Sequence, residues 1–303
     1  MKKIQLGTSS LQVPNVSLGC MRMNALDNKE AEKVIRTALD VGMNFFDHAD
    51  IYGKGESEKR FSESIKMNSS IREKMIIQTK IAIRNGYYDF SKKHIIEGVE
   101  KSLKRLNTDY VDVFLLHRPD TLMEPEEVAE AFNELEKSGK VKHFGVSNHS
   151  PQQIELLNTA VKQDLIANQL QLGVMHTGMI DAGINVNTKH PNAIDRDHGV
   201  LEYSRLNKMT IQPWSPVHAE KGVFLNNPEY PIINEKLSEI GEKYGLDNEA
   251  MSIAWLLRHP AQMQVILGTM NPERIKNYAS ASEVSISRED WYEIYRAAGN
   301  IVP

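Results

Sequence analysis

Three short apolar runs in this 303-residue chain each end on an ionisable side chain: Phe45-Phe46-Asp47, Gln78-Thr79-Lys80 and Leu115-Leu116-His117. A charge at the end of an apolar run is costly unless it is paired or put to use. Just beyond Asp47 stands Tyr52, in Asp50-Ile51-Tyr52-Gly53. Brought together, these four side chains define a proton-transfer chemistry. A cation at Lys80 favours phenolate and lowers a tyrosine from its usual pKa of about 10, while Asp47 keeps that lysine charged. His117 can orient a substrate oxygen, and Tyr52 then serves as general acid or base at a carbonyl or alcohol oxygen. Redox chemistry at such a site needs a hydride carrier. The same residues admit a plainer arrangement, with Asp47 and Lys80 a structural pair, His117 a satisfied core histidine and Tyr52 a packed aromatic.

Residues so far apart in sequence meet only in a fold whose strand ends converge. Eight β-prone apolar runs recur, at Val16-Cys20, Met43-Asp47, Met75-Lys80, Tyr110-His117, Lys142-Ser147, Ile166-Leu172, Thr210-Trp214 and Gln264-Gly268. Between them lie helical patterns, among them Lys29-Val41, Lys92-Leu106, Glu126-Lys137, Pro151-Val161, Ile232-Tyr244 and Glu249-Arg258, opened by capping residues such as Asn28 and Ser91. This alternation predicts an α/β fold, a (β/α)8 TIM barrel in which the C-terminal strand ends share one pocket. The competing open sheet would carry G-x-G-x-x-G after a strand, and none follows here. Residues 1–303 read as a single barrel domain.

Three segments fall outside the repeat. Lys3-Pro14, around Gly7-Thr8-Ser9-Ser10, reads as an N-terminal β-hairpin plugging the barrel floor. Gly173-Gly199 shows no clear periodicity and, following the sixth strand, belongs to the active face. Arg288-Ala298 is an extra C-terminal helix placed to pack over a loop or barrel edge.

Composition narrows the function classes. Apolar residues make up 41% and charged residues 25%, which supports a large core. The formal charge of -4 gives no global attraction for nucleic acid or anionic lipid. One cysteine, Cys20, can form neither an internal disulfide nor a cysteine-based zinc site. Ten histidines could suggest a metal-dependent barrel hydrolase, but there is no H-E-x-x-H, and no metal is expected. No apolar run approaches the length of a membrane span, and no signal-peptide pattern opens the chain, so a cytoplasmic protein is expected.

Four motifs carry a resemblance over essentially the whole chain: Phe46-Asp47-His48-Ala49-Asp50-Ile51-Tyr52-Gly53, Thr79-Lys80, Leu115-Leu116-His117-Arg118-Pro119 and Gly145-Val146-Ser147-Asn148. In this order the sequence resembles the aldo-keto reductase family, and within it the bacterial monomer-type oxidoreductases. The resemblance implies reduction of aldehydes or ketones with a nicotinamide cofactor, usually NADPH, with NAD possible. The partner would be a small-molecule carbonyl and the protein a monomer. Tyr52 would donate the proton, Asp47 and Lys80 would tune it, and His117 would direct the carbonyl. Ser147, Asn148 and Gln169 would bind the nicotinamide carboxamide, groups able to donate and accept as an amide requires. By the same match, Trp214 would stack on the nicotinamide, Ser215 and Val217 would lie beside the pyrophosphate, and Gly268, Thr269 and Arg274 would bind the adenosine end. A planar guanidinium suits a 2′-phosphate.

The chain departs from the family where many members have a lysine in place of Gly268, and where Asn277-Tyr278 displaces an expected asparagine. Substrate-facing loops are expected after the first strand (Met21, Arg22, Met23), the third (Tyr87, Tyr88) and the sixth (Met175, His176). Barrels of this kind also serve as cofactor-binding, redox-sensing regulatory subunits, and that is the alternative to a reductase.

Overall fold

A computed structural model describes residues 1–302. The chain opens with an antiparallel pair, β1 (Lys3–Gln5) and β2 (Gln12–Pro14). Eight parallel strands follow: β3 (Val16–Gly19), β4 (Phe45–Asp47), β5 (Ile76–Ile81), β6 (Val111–Leu116), β7 (Val141–Ser147), β8 (Leu165–Gln171), β9 (Thr210–Trp214) and, after a small ribbon of β10 (His218–Ala219) and β11 (Gly222–Val223), β12 (Val265–Leu267). They pair in the order β12-β3-β4-β5-β6-β7-β8-β9. The ring is drawn together between β9 and β12, where the Gln264 N–H donates to the Ile211 carbonyl at 3.1 Å. This is the expected barrel.

These segments are strands because both faces are covered. Parallel strands flanked by helices read as near-continuous apolar runs, and β5 and β6 are buried at every position. The helices begin where short polar side chains can accept the free N–H groups of a first turn. Asp27 and Glu30 form a capping box at helix Asn28–Asp40, whose Ala31, Val34, Ile35 and Ala38 are buried. Ser91 caps helix Lys92–Leu106 through the His94 N–H, and Asn107 ends it in the left-handed region.

The hairpin closes the floor. Ile4, Leu6 and Val13 pack against Phe45, Ile76, Val113, Leu115 and Ile166 of the barrel. The hairpin turn comes so close to β8 that a side chain at Gly7 would put its Cβ 2.3 Å from the Ile166 carbonyl oxygen, and its φ is +57°. The Gly7 N–H donates to Thr210 Oγ1 at 2.8 Å, which fixes the turn on β9.

One expectation needs correction. Residues 173–199 are not structureless, since they hold a short helix, Gly178–Ile184, and a 3-10 turn, Pro191–Ala193. The polar side chains that obscured this period have buried partners: Asp181 accepts from the Tyr295 hydroxyl at 2.6 Å and from Thr177. The helix Glu56–Ser64 has Phe61 as its one apolar residue and does not announce itself, and Val200–Leu206 is only seven residues long. The C-terminal helix, Arg288–Ala297, does pack over that loop, and it meets helix Asn248–Leu257 through Trp255 and Trp291, stacked at 4.8 Å. Each of these indoles donates to the other's backbone carbonyl at 3.0 Å. Among the described residues no helix is long and apolar enough to cross a membrane.

Gly7→Ala should destabilise the barrel by about 2 kcal/mol, because it adds both a clash and an unfavourable φ. Thermal unfolding is the check, and an unchanged midpoint would mean that the plug is not seated this tightly.

Candidate active site

Asp47 ends β4 and Lys80 lies near the end of the neighbouring β5, in a register that pairs Asp47 with Gln78. Both charges are almost entirely shielded from solvent. Lys80 Nζ reaches Asp47 Oδ1 at 2.6 Å, Oδ2 at 2.7 Å and the His48 carbonyl at 2.8 Å. Asp47 Oδ1 also accepts from Gln78 Nε2 at 2.6 Å and Gln169 Nε2 at 3.1 Å. Burial pulls the lysine pKa down, but the charge of Asp47, with Tyr52 and hydrogen bonding, outweighs it and the net shift is upward. Lys80 therefore stays charged.

The loop beyond β4 is bound to the same place. The Asp50 N–H donates to the Lys80 carbonyl at 3.1 Å, and Tyr52 follows in a tight turn whose Gly53, Lys54 and Gly55 all have positive φ. This chain path brings the Tyr52 ring centroid to 5.1 Å from Lys80 Nζ and 6.0 Å from the His117 ring, edge-on. The expected net lowering of the tyrosine pKa is not found. Burial raises it by more than the nearby ammonium lowers it, so the net shift is upward from 10.0. Tyr52 is thus a phenol across the neutral range, the form that can give a proton. His117, immediately after β6, is driven well below its usual value by burial and by the charges of Lys80 and Arg118, and is a neutral imidazole. Its Nδ1 is buried without a partner among the described residues.

One cavity of about 780 Å³ collects the candidates. Asp47, Tyr52 and His117 line it; Lys80 stands behind Asp47. Ser147, Asn148 and Gln169 lie along the same wall. Asn148 Nδ2 donates to Ser147 Oγ at 2.8 Å, and Ser147 Oγ donates to the Gln169 carbonyl at 3.0 Å. Trp214 Nε1 donates to Asn148 Oδ1 at 3.2 Å, which holds the indole on the cavity wall. Ser215, Val217, Gly268, Thr269 and Arg274 continue the lining. Asn148 and Ser215 both have positive φ, 60° and 51°, and such strain persists only where the surroundings impose it. Arg274 is exposed, and its Nε pairs with Glu249 at 3.2 Å. Among the described residues no group of three or more His, Cys, Asp or Glu could hold a metal.

The sequence model described as "Aldo/keto reductase family" matches residues 3–298. The chain belongs to the aldo/keto reductase family. It is similar to "Uncharacterized oxidoreductase YcsN" of Bacillus subtilis, 33% identical over 98% of both chains. It is likewise 34% identical to "6-dehydroglucose reductase" of Agrobacterium fabrum, again over 98% of both. Among solved structures it resembles the aldo/keto reductase from Klebsiella pneumoniae in complex with NADP and acetate, with a TM-score of 0.79 at 22% identity, covering 98% of this chain and 95% of that one. The protein is an oxidoreductase of this family on a TIM barrel.

Not every loop residue expected at the mouth of this aldo/keto reductase is there. Met21 and Arg22 line the cavity, Arg22 with its guanidinium donating to the Gly268 carbonyl at 2.9 Å. Met23 instead is buried in the core, Tyr87 and Tyr88 are exposed outside the cavity, and Met175 packs against the core. Neither Met175 nor His176 lines the cavity: a tight turn pairs Gly173 with His176, and Gly173 lies flush against Pro216, where a Cβ would fall 2.2 Å from the carbonyl oxygen. Sequence reasoning missed Arg118, whose guanidinium is 5.8 Å from the Trp214 ring centroid, and Ile83 beyond β5. Arg118 directly follows His117 at a strand end, and that position was the available signal.

Asp50, between Asp47 and Tyr52, supplies a pH test. Burial, then the nearby Glu58 carboxylate, raises its pKa from 3.8 to about 6. A carboxylate raised in the folded state favours folding below its unfolded pKa, and that contribution is lost as pH rises through the folded value. Relative to Asp50→Asn, the wild type should therefore lose thermal stability from about pH 4 to about pH 6. Parallel stability curves for the two proteins would contradict this.

Proposed function

We propose that this enzyme reduces an aldehyde or ketone to the alcohol with NADPH, Tyr52 giving the proton. The observation that carries this reading is the pairing of a phenol kept protonated by burial with a neutral imidazole at the same cavity wall. A bound nicotinamide cofactor supplies the hydride. The residues fit that group. Asn148 keeps an amide N–H to offer, and Gln169, whose Nε2 is committed to Asp47 and Gln212, has only its Oε1 to offer, a donor and an acceptor that complement a carboxamide. Trp214 provides an aromatic face, and Arg274 a cation for a 2′-phosphate, moderated by Glu249.

His117 then holds the substrate carbonyl oxygen by an N–H and sets it against the Tyr52 hydroxyl. Tyr52 releases its proton to that oxygen as negative charge develops there. Lys80, charged and fixed by Asp47, stabilises the phenolate that remains. The intact set of Asp47, Tyr52, Lys80 and His117 favours catalysis over the redox-sensing subunit. Arg274 favours NADPH, with NADH the weaker donor.

Tyr52→Phe should lower turnover by about 10²- to 10⁴-fold and leave NADPH affinity unchanged. Because Tyr52 titrates above 10.0 and His117 well below 6.5, the wild-type rate should be flat from about pH 7 to about pH 9. NADPH oxidation with a panel of aldehydes, ketones and dicarbonyls measures both. Undiminished turnover in the variant would remove Tyr52 from the mechanism.

A further inference from the structure

Beneath Asp47 the barrel interior holds four glutamines from four different strand segments: Gln78 on β5, Gln169 on β8, Gln212 on β9 and Gln264 just before β12. All are buried. Primary amides in such a place are costly unless satisfied, and here all but the Gln169 oxygen find partners in one another, in Asp47 or in the backbone. Gln78 Nε2 donates to Asp47 Oδ1 at 2.6 Å and to Gln212 Oε1 at 3.0 Å. Gln169 Nε2 donates to Asp47 Oδ1 at 3.1 Å and to Gln212 Oε1 at 3.2 Å. Gln212 Nε2 donates to Gln78 Oε1 at 3.1 Å and Gln264 Oε1 at 2.8 Å, and Gln264 Nε2 donates to the Pro14 carbonyl at 3.0 Å.

An amide can ordinarily turn over and exchange its donor and acceptor ends. Here both ends of the belt are acceptors only, a carboxylate bound to Lys80 and a backbone carbonyl on the hairpin. Turning Gln212 over would set its oxygen against the oxygens of Gln78 and Gln264, and its NH₂ against those of Gln78 and Gln169. Gln212 is therefore the keystone. It holds Gln78 and Gln169 with their NH₂ groups inward. Gln169 consequently shows the cavity its oxygen, which has no partner among the described residues and is not sealed off in the interior.

We propose that Gln212 is a positioning residue: by locking the orientation of Gln78 and Gln169 it fixes both the acceptor that Gln169 offers the cofactor carboxamide and the field that Asp47 exerts on Lys80 and Tyr52. One buried network thus sets the cofactor seat and the proton donor together. This rests on the reading of the cavity as a nicotinamide and carbonyl site.

The test compares Gln212→Met, Gln212→Glu and Gln264→Met, reading NADPH dissociation by fluorescence, thermal midpoint and the pH profile of turnover. Gln212→Met keeps the volume but removes one of the two acceptors that orient both neighbours, leaving Asp47 alone, and should weaken NADPH binding about tenfold and displace the alkaline limb of the profile. Gln264→Met, at the far end, should lower the thermal midpoint but keep NADPH affinity within about threefold of wild type. The buried carboxyl introduced by Gln212→Glu is neutral at low pH and still accepts from Gln78 and Gln169. That variant should bind NADPH nearly as wild type there, and lose affinity as rising pH ionises the new carboxyl beside Asp47, a dependence the wild type lacks. That arm decides the matter even if Gln212→Met does not fold. Gln212→Met with wild-type NADPH affinity and pH profile, or Gln212→Glu binding NADPH without pH dependence, would make the belt a structural feature only. Full turnover by Tyr52→Phe would overturn the proton-donor reading while leaving the NADPH measurements on Gln212 interpretable.

Discussion

A lysine and an aspartate without solvent sit at the centre of this barrel, and most of the site's structure follows from keeping them there. Two charges in a low-dielectric interior are tolerated only with good geometry and with their remaining hydrogen-bonding capacity satisfied. The register of β4 against β5 places Asp47 and Lys80 at 2.6 Å, the His48 carbonyl takes another bond from the ammonium, and two glutamine amides take the carboxylate's free capacity. The loop to Tyr52 is tied to the same lysine through its backbone. Surroundings this fully determined can hold a turn of three consecutive residues at positive φ, and that turn aims Tyr52 at the cavity.

Burial is the largest influence on the titratable groups around the pair, opposed by the lysine charge at Tyr52 and assisted by it at the histidines. It raises Tyr52 against the pull of Lys80, and it lowers His117 with the help of Lys80 and Arg118. Next to the pair, His48 is pushed down to about 3 by burial and by Lys80, and its ring packs edge-on against Phe61 at 4.6 Å. The result is a donor and an orienting group that are both uncharged, beside one fixed cation. Such an arrangement suits a neutral carbonyl whose oxygen becomes negative only during reaction, since the stabilising charge is already in place.

Much of this was legible in the sequence. The barrel followed from the alternation of apolar runs with helical patterns, and Thr210–Trp214 was read to the residue. Strand-end logic found Asp47, Lys80 and His117 because a barrel places such positions at one mouth. Other features depend on surroundings that a linear pattern does not carry. The direction of the Tyr52 shift is set by the protein packed around it, so the visible lysine suggested the wrong sign. Tyr87 and Tyr88 sit in a loop that folds away from the cavity, which composition could not indicate. Of the four glutamines the resemblance singled out Gln169 alone, and only the closed ring shows that Gln78, Gln212 and Gln264 are joined to it.

Direct titration of Tyr52 tests the central claim, that burial raises this phenol against the pull of the ammonium that Asp47 holds in place. The difference in phenolate absorbance between the wild type and Tyr52→Phe isolates it, and the same difference can be taken on an Asp47→Asn/Lys80→Met background, where no unpaired charge is left inside. The titration midpoint should lie above 10.0 in the wild type, and higher still once the ammonium is gone, because Lys80 is the main influence holding it down. A midpoint below 10.0, or a titration indifferent to loss of the pair, would contradict the account.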